Sequence, residues 1–360
     1  MSKTASKQLY TDMAAEALFE ALLSTTDGAS DSRPLWIADE QKLPSNLIAG
    51  LTQHNGLFIS NRFDQYQYAS NGGVQSWFSD MNLDALPANS IGHIFFRVAK
   101  ERALVHHLIN QATRTLPIGG ALWLSGFKNE GIKTHIQRAQ DRFDAKADIT
   151  RHKNQLYLAK IIRKDSQTSD LPDDNYPVLR QIECGQQLIW TKPGLFGWNK
   201  EDQASKLLMD WLSGTPTLIK SKKVLDLGCG YGYLCLRAAA LGSAAVVATD
   251  NCAAALDACK KNLSDKQVQT EVIQSHAGCG INGSFDAILC NPPFHQGFST
   301  TSDLHQLFVK ETKRLLASDG KAWYVVNQFL NIGDIAEKSG LSCTEAHRTK
   351  SYKILELKHR

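Results

Sequence analysis

Apolar and polar positions alternate along this chain with two different periods. Leu35-Trp36-Ile37-Ala38, Gly56-Leu57-Phe58-Ile59-Ser60 and Gly92-His93-Ile94-Phe95-Phe96-Arg97-Val98 are short apolar runs that read as buried strands. Between and around them the period is helical. Leu9, Met13, Ala17, Leu18 and Leu22 mark an amphipathic helix over 9–23, and Val105, Leu108, Ile109, Ala112 and Leu116 mark another. Pro117 and Gly119-Gly120 end the second helix, and Ala121-Leu122-Trp123-Leu124-Ser125 follows as a strand. A polar helix near 131–144 leads to a hairpin-like pair that ends in Leu156–Ile162. Strands that alternate with helices predict a mostly parallel α/β sheet. Residues 163–177 are then almost wholly polar, with two prolines, and read as the linker of the chain.

The second half repeats the layout. After a short β region (Gln187–Trp190) and a helix near 202–213, the strand Lys223-Val224-Leu225-Asp226-Leu227 enters a loop with glycine at 228, 230 and 232. A helix over 232–241 leaves that loop. Ala245-Val246-Val247-Ala248-Thr249 is the next strand and ends in Asp250; Phe285–Cys290 is a further one and ends in Asn291-Pro292-Pro293-Phe294. From Ile94 in one half and Ile288 in the other, the order is the same: strand, helix, glycine turn, strand, helix, final strands. This is the pattern of a duplicated fold, with domains at 1–168 and 169–360. The first copy has Trp36-Ile37-Ala38-Asp39-Glu40 in place of the glycine loop and Arg97-Val98-Ala99-Lys100 in place of Asn-Pro-Pro-Phe. It is expected neither to hold a cofactor nor to catalyse, and to serve as structural support or as a grip on the substrate.

Three features carry chemistry. Two prolines after a buried strand forbid helix and further strand pairing, so Asn291–Phe294 stops at the carboxyl edge of a sheet, where open α/β folds bind ligands. An amide oxygen, a free backbone carbonyl and an aromatic ring there suit a flat group bearing NH2; Asn-Pro also commonly marks a plain turn. The glycine loop allows a tight turn and a close approach of ligand to backbone, and Asp250 can accept two ribose hydroxyl hydrogen bonds. The loop lacks the third glycine of a dinucleotide fingerprint, and acidic Asp226 before it suits a cation better than a pyrophosphate.

Leu225-Asp226-Leu227-Gly228-Cys229-Gly230-Tyr231-Gly232 resembles the first motif of class I methyltransferases, and Asn291-Pro292-Pro293-Phe294 resembles their amino-methylating motif. More narrowly, Lys192-Pro193-Gly194-Leu195-Phe196 and Asn291–Gly297 resemble the ribosomal-RNA guanine-N2 methyltransferases of the small subunit. The resemblance covers about residues 155–360. It implies two tandem Rossmann-like methyltransferase domains, with a mostly parallel sheet of the seven-stranded type in the second. It further implies S-adenosyl-L-methionine as cofactor, held by Asp226, Gly228, Cys229, Gly230, Gly232, Asp250, Asn251, Ser275, His276 and Asn291. Catalysis would fall to Asn291, Pro292, Pro293 and Phe294, and substrate contact to Phe294, Phe196 and Lys192. The implied substrate is N2 of a guanine in 16S rRNA, within the small subunit or an assembly intermediate. The chain departs from the family over Gly197–Asp202, where Phe196 and Asp202 alone agree, and at His276, which stands where an acid or amide often lies beside the adenine. Other readings of the same motifs are a large-subunit rRNA guanine, adenine N6, a protein glutamine amide, or a catalytically silent RNA-binding assembly factor.

Composition narrows the class without choosing among these. The chain has 360 residues, 42% hydrophobic and 21% charged, with no run of eighteen apolar residues and no basic-then-apolar start, so the expectation is a cytoplasmic, membrane-free, monomeric protein. Net charge is +4 and evenly divided: 19 Lys/Arg against 17 Asp/Glu in 1–170, and 21 against 19 in 171–360. No basic half marks an RNA face. Lys192, Lys200, Lys350 and Lys353 are the candidates for phosphate contact, each also readable as a surface charge. Eight scattered cysteines without a C-x-x-C pair read as reduced core filler, not as a disulfide frame or a metal site, and Cys229 as filler in the loop.

Overall fold

A computed structural model describes residues 11–25, 33–166, 168–185, 187–293 and 301–360, the last with side chains from 303 on. In the first domain the strands are β1 (Pro34–Ala38), β2 (Leu57–Ser60), β3 (Gln75–Phe78), β4 (His93–Arg97), β5 (Ala121–Phe127), β6 (Asp148–Arg151) and β7 (Leu156–Ile162). They form one sheet in the order β3-β2-β1-β4-β5-β7-β6. A short antiparallel hairpin, β8 (Arg180–Cys184) and β9 (Gln187–Thr191), leads into the second domain. There β10 (Lys223–Leu227), β11 (Ala245–Asp250), β12 (Gln269–Gln274), β13 (Phe285–Cys290), β14 (Leu316–Asn327), β15 (Leu341–Arg348) and β16 (Tyr352–His359) form a second sheet in the order β12-β11-β10-β13-β14-β16-β15. Strand for strand the two orders are the same, so the repeat legible in the sequence is a repeat of topology. The first five strands of each sheet pair in parallel and the last two antiparallel.

Helices cover both faces: α1 (Met13–Thr25), α2 (Leu47–Gln53), α3 (Phe63–Asn71), α4 (Arg102–Thr115) and α5 (Ile132–Phe143) in the first domain, then α6 (Gln203–Ser213), α7 (Tyr233–Ala240), α8 (Ala253–Leu263), α9 (Thr301–Leu315) and α10 (Ile332–Lys338) in the second. Each sheet therefore has two apolar layers. One packs Ile37, Phe96 and Leu124 against α4 and α5; the other packs Trp36, Phe58 and Phe95 against α1. The central strands β1 and β4 are buried nearly throughout, which is why they read as unbroken apolar runs.

Differences from the sequence reading have local causes. The first helix starts at Met13, because the Asp12 carboxylate accepts the N–H groups of Ala14 (2.9 Å) and Ala15 (3.2 Å) and caps it there. α3 and β3 left no apolar stripe to find: only Ala69 of α3 is buried, and β3 is an edge strand with no fully buried residue. The polar stretch 163–177 is strapped down along α4. Asn110 exchanges two hydrogen bonds with the backbone of Leu171 (2.8 and 2.9 Å), His106 Nδ1 meets the Pro172 carbonyl (2.8 Å), and Leu171 and Tyr176 bury themselves in the first core.

In each sheet the winding reverses between the first and fourth strands. For the second domain this switch point lies between β10 and β13, whose register pairs Asp226 with Leu289. The glycine loop after β10 and the Asn-Pro-Pro turn after β13 thus leave the same edge side by side.

Candidate active site

A cavity of about 1020 Å³ opens at that edge, large enough for a nucleoside cofactor and a base together. Its floor is Gly228–Tyr231, its sides are Thr249–Asn251, Ser275–Ala277 and Asn291–Pro293, and Phe196, Trp198, Phe308, Phe329 and Tyr352 close around it. All three loop glycines are left-handed, with φ of +85°, +52° and +88° at 228, 230 and 232. A Cβ on Gly232 would lie 2.8 Å from Cys259 Sγ, whereas a Cβ on Gly230 would meet nothing within 4 Å. Gly232 is there for packing, and Gly230 leaves its backbone bare to the cavity. The N–H groups of Gly228 and Cys229 both donate to the Thr249 carbonyl (2.9 Å each) and pin the loop to β11.

Asp250 sits where the sequence placed it. Its two oxygens accept the N–H groups of Gly230 (2.9 Å) and Cys252 (2.8 Å). Burial raises its carboxyl above the usual range, and those two N–H groups, with Arg62 of the first domain, pull it back. A carboxylate held this way keeps free lone pairs for ribose hydroxyls.

Asn291 is fixed more tightly. Its Nδ2 donates to Asp202 Oδ2 (2.8 Å) and to Ser205 Oγ (2.9 Å). With both amide hydrogens engaged, Oδ1 is buried without a hydrogen-bond partner among the described residues, in a residue that lines the cavity. An orphaned acceptor in a cleft is what an amino-bearing ligand would satisfy. Asp202 also caps α6 through the Ser205 N–H (2.8 Å), so the helix and the amide share one carboxylate. The Pro293 carbonyl faces His305 Nε2 at 3.0 Å, which anchors the turn on α9. Phe294 lies outside the described residues.

Ser275 and His276 line the cavity, Ser275 with a buried hydroxyl that has no partner among the described residues. Cys229 lines it too, but its thiol is held well above the usual value by its hydrogen bond with Cys259 and by burial, so it is filler and not a nucleophile. Two assignments change. Asp226 is fully buried and is not among the residues lining the cavity; it accepts a hydrogen bond from Cys235 Sγ (3.0 Å), and burial pushes its carboxyl up to about 8. A neutral acid beneath the loop is no counter-charge for a cation. Lys192 is also buried: its ammonium pairs with Asp80 and lies 3.7 Å from the centre of the Tyr176 ring, so it ties the two domains together and faces no substrate phosphate. Asn251 borders the cavity, yet its side-chain amide is spent on Asp64, from whose N–H it accepts (3.0 Å) and to whose Oδ1 it donates (2.9 Å).

Phe196 is at the rim and 70% exposed, as a substrate contact requires. Phe329, 85% exposed on the same rim, went unnoticed in the sequence. A turn presents it, in which its N–H donates to Asn327 Oδ1 at the end of β14 (3.0 Å). The Phe329-Leu330-Asn331 run follows no recognisable period, so only its exposure in the fold marks it.

Among its described residues the first domain lacks the counterpart of this site. At the position of Asn291 stands Arg97, buried and locked by Glu130 (2.6 and 2.7 Å) and Asp12 (3.2 Å). Its crevice measures about 230 Å³ and contains Arg62, paired with Asp39 and Glu40, below the usual size of a ligand pocket.

A glycine-floored switch point with an acid on the next strand and Asn-Pro-Pro beside it belongs to a class I methyltransferase domain of the amino-methylating kind. Residues 186–356 match the family model "Methyltransferase small domain". The ribosomal RNA small subunit methyltransferase C of Shewanella loihica is 30% identical over 301 residues, 82% of this chain and 84% of its own length. That of Acinetobacter baylyi is 30% identical over 303 residues, 82% and 86%. The chain therefore belongs to the ribosomal RNA small subunit methyltransferase C family. The fold agrees over its whole extent with the T. thermophilus 16S rRNA N2 G1207 methyltransferase (RsmC), solved in complex with AdoMet and guanosine: the TM-score is 0.81 at 22% identity, covering 98% of this chain and 93% of that one.

Proposed function

We propose that this chain transfers a methyl group from S-adenosyl-L-methionine to the exocyclic N2 of a guanine in 16S rRNA, the G1207 type of reaction named for its structural relative. The observation that carries the reading is the orphaned Oδ1 of Asn291, a residue that lines the cavity beside a bare glycine loop. Residues 169–360 catalyse, and residues 1–168 are a non-catalytic support or RNA grip. The substrate is the small subunit or an assembly intermediate, and the enzyme acts as a monomer in the cytoplasm.

When bound, the cofactor supplies an electrophilic methyl group on a sulfonium. Gly228, Gly230 and Asp250 border its nucleoside. Guanine N2 is a weak nucleophile, because its lone pair is delocalised into the ring. Asn291 Oδ1 accepts one of its hydrogens and the Pro292 carbonyl the other, which turns the lone pair toward the methyl. Phe294 stacks on the base. Positioning and electrostatics supply the acceleration, and no general base need act before transfer, since the proton leaves the cationic product. A paired guanine must first be extruded.

Incubation with methyl-labelled cofactor and separate small-subunit, large-subunit, DNA and protein fractions tests the proposal. Label recovered as N2-methylguanine from 16S rRNA is expected. N6-methyladenine or a methylated glutamine amide would move the chain to another amino acceptor, and normal RNA binding without any transfer would make it an assembly factor.

A further inference from the structure

The two domains meet through equivalent segments. Each segment directly follows the second strand from its switch point: Asn61–Asp64 after β2, and Asn251–Ala254 after β11. Phe63 N–H donates to the Asn251 carbonyl, and Ala253 N–H donates to the Asn61 carbonyl, both at 2.9 Å. Between them Arg62 and Cys252 form an antiparallel bridge. Under the repeat, residue 61 corresponds to 251 and 63 to 253, so the two bonds are exchanged by a local two-fold axis through that bridge. This is the self-complementary geometry of a symmetric dimer, retained within one chain.

The symmetry is broken by side chains. On the second domain's side the segment runs on from Asp250, the ribose acid. On the first domain's side it carries Arg62 and Asp64. Asp64 holds both ends of the Asn251 amide and places Oδ2 3.8 Å from His276 Nδ1. Asn251 and His276 are neighbouring walls of the cofactor cavity. The contact is with the pocket wall itself, not with a distant face of the catalytic domain.

We propose that Asp64 is a positioning residue of the cofactor site: by holding Asn251 beside His276, the degenerate domain fixes the wall against which the ribose and adenine lie. This rests on the assignment of S-adenosylmethionine to the cavity, and it gives the first domain a part in cofactor affinity distinct from general support.

The test is calorimetry on the full chain with S-adenosylmethionine and with 5′-methylthioadenosine, which keeps the nucleoside and lacks the amino-acid end. Asp64→Ala is expected to weaken both ligands by the same factor, about tenfold, the worth of one hydrogen bond to a carboxylate. Asp64→Asn retains an oxygen for Asn251 Nδ2 and is expected to stay within about threefold of wild type. At saturating cofactor, kcat and the KM for RNA should change less than about twofold, whereas a loss of folded enzyme would lower kcat. Asp64→Glu keeps the charge but moves the carboxylate by one methylene; it is expected to weaken both ligands with Tm unchanged, and it serves if the alanine variant does not fold. Wild-type affinity in Asp64→Ala or Asp64→Glu, or equal loss in Asp64→Asn and Asp64→Ala, overturns the proposal. A wild-type chain that binds neither ligand instead overturns the cofactor assignment beneath it.

Discussion

Asp202→Ala tests how the reactive amide is aimed. In the native site the Asp202 carboxylate takes one hydrogen of Asn291 Nδ2 and the Ser205 N–H, both at 2.8 Å. The variant loses two separable things. Loss of the cap on α6 costs about 1 kcal/mol of stability, seen as a few degrees in Tm. Loss of the carboxylate leaves Ser205 Oγ as the remaining partner of the Asn291 amide among the described residues, and the amide is then free to turn its NH2 toward the cavity. A hydrogen bond to a charged group is worth about 1.5–3 kcal/mol, and about 1.4 kcal/mol is tenfold in rate, so kcat should fall roughly 10- to 150-fold. Cofactor affinity should move by less than about threefold, because Asp202 bonds Asn291 and Ser205 and not Asp250 or the glycine loop. Asp202→Asn keeps an oxygen for the amide and a good cap, and should recover most of the rate. Single-turnover kinetics with saturating cofactor and RNA read the chemical step directly. A variant that is folded and binds cofactor, yet methylates within twofold of wild type, would refute the orienting role.

Other consequences follow from the same geometry. Asn291→Ala should abolish turnover while sparing cofactor binding by calorimetry; retained turnover removes Asn291 from the mechanism. Asp250→Ala should weaken the cofactor by roughly 10- to 100-fold, the loss of two ribose hydrogen bonds, and unchanged affinity would sink the ribose assignment. Gly232→Ala places a Cβ 2.8 Å from Cys259 Sγ at φ +88° and should lower Tm by several degrees, whereas Gly230→Ala, with open space before it, should act mainly on cofactor affinity. Asp226 is an acid raised by burial to about 8, so its stabilising neutral form is fully present below the unfolded value near 4 and is lost as pH rises through 8. Asp226→Asn should remove about 1.4 kcal/mol per pH unit of that decline between these limits in urea unfolding, and an unchanged slope would contradict the assignment.

The sequence made the duplicated α/β layout readable because central parallel strands are apolar on both faces, as Trp36-Ile37 and Ile288-Leu289 are. Asn291, the glycine loop and Asp250 were legible because prolines and glycines constrain the backbone locally, whatever surrounds them. Contacts between distant segments were not. Lys192 looked like a phosphate ligand until Asp80 arrived from the other domain and Tyr176 from the polar stretch 163–177, and Asn251 looked free until Asp64 met it. Asp226 precedes the loop in sequence but alternates inward on β10, among thiols. Asp202 and Ser205 showed only a helix start, and their grip on Asn291 spans more than 80 residues.

The central claim is tested most directly by mapping rRNA methylation in a strain that lacks this gene, with nucleoside mass spectrometry of its 16S rRNA. One N2-methylguanine should be missing, restored by the wild-type gene and not by Asn291→Ala. An unchanged set of methylguanines, or a missing methyladenine, would contradict the account.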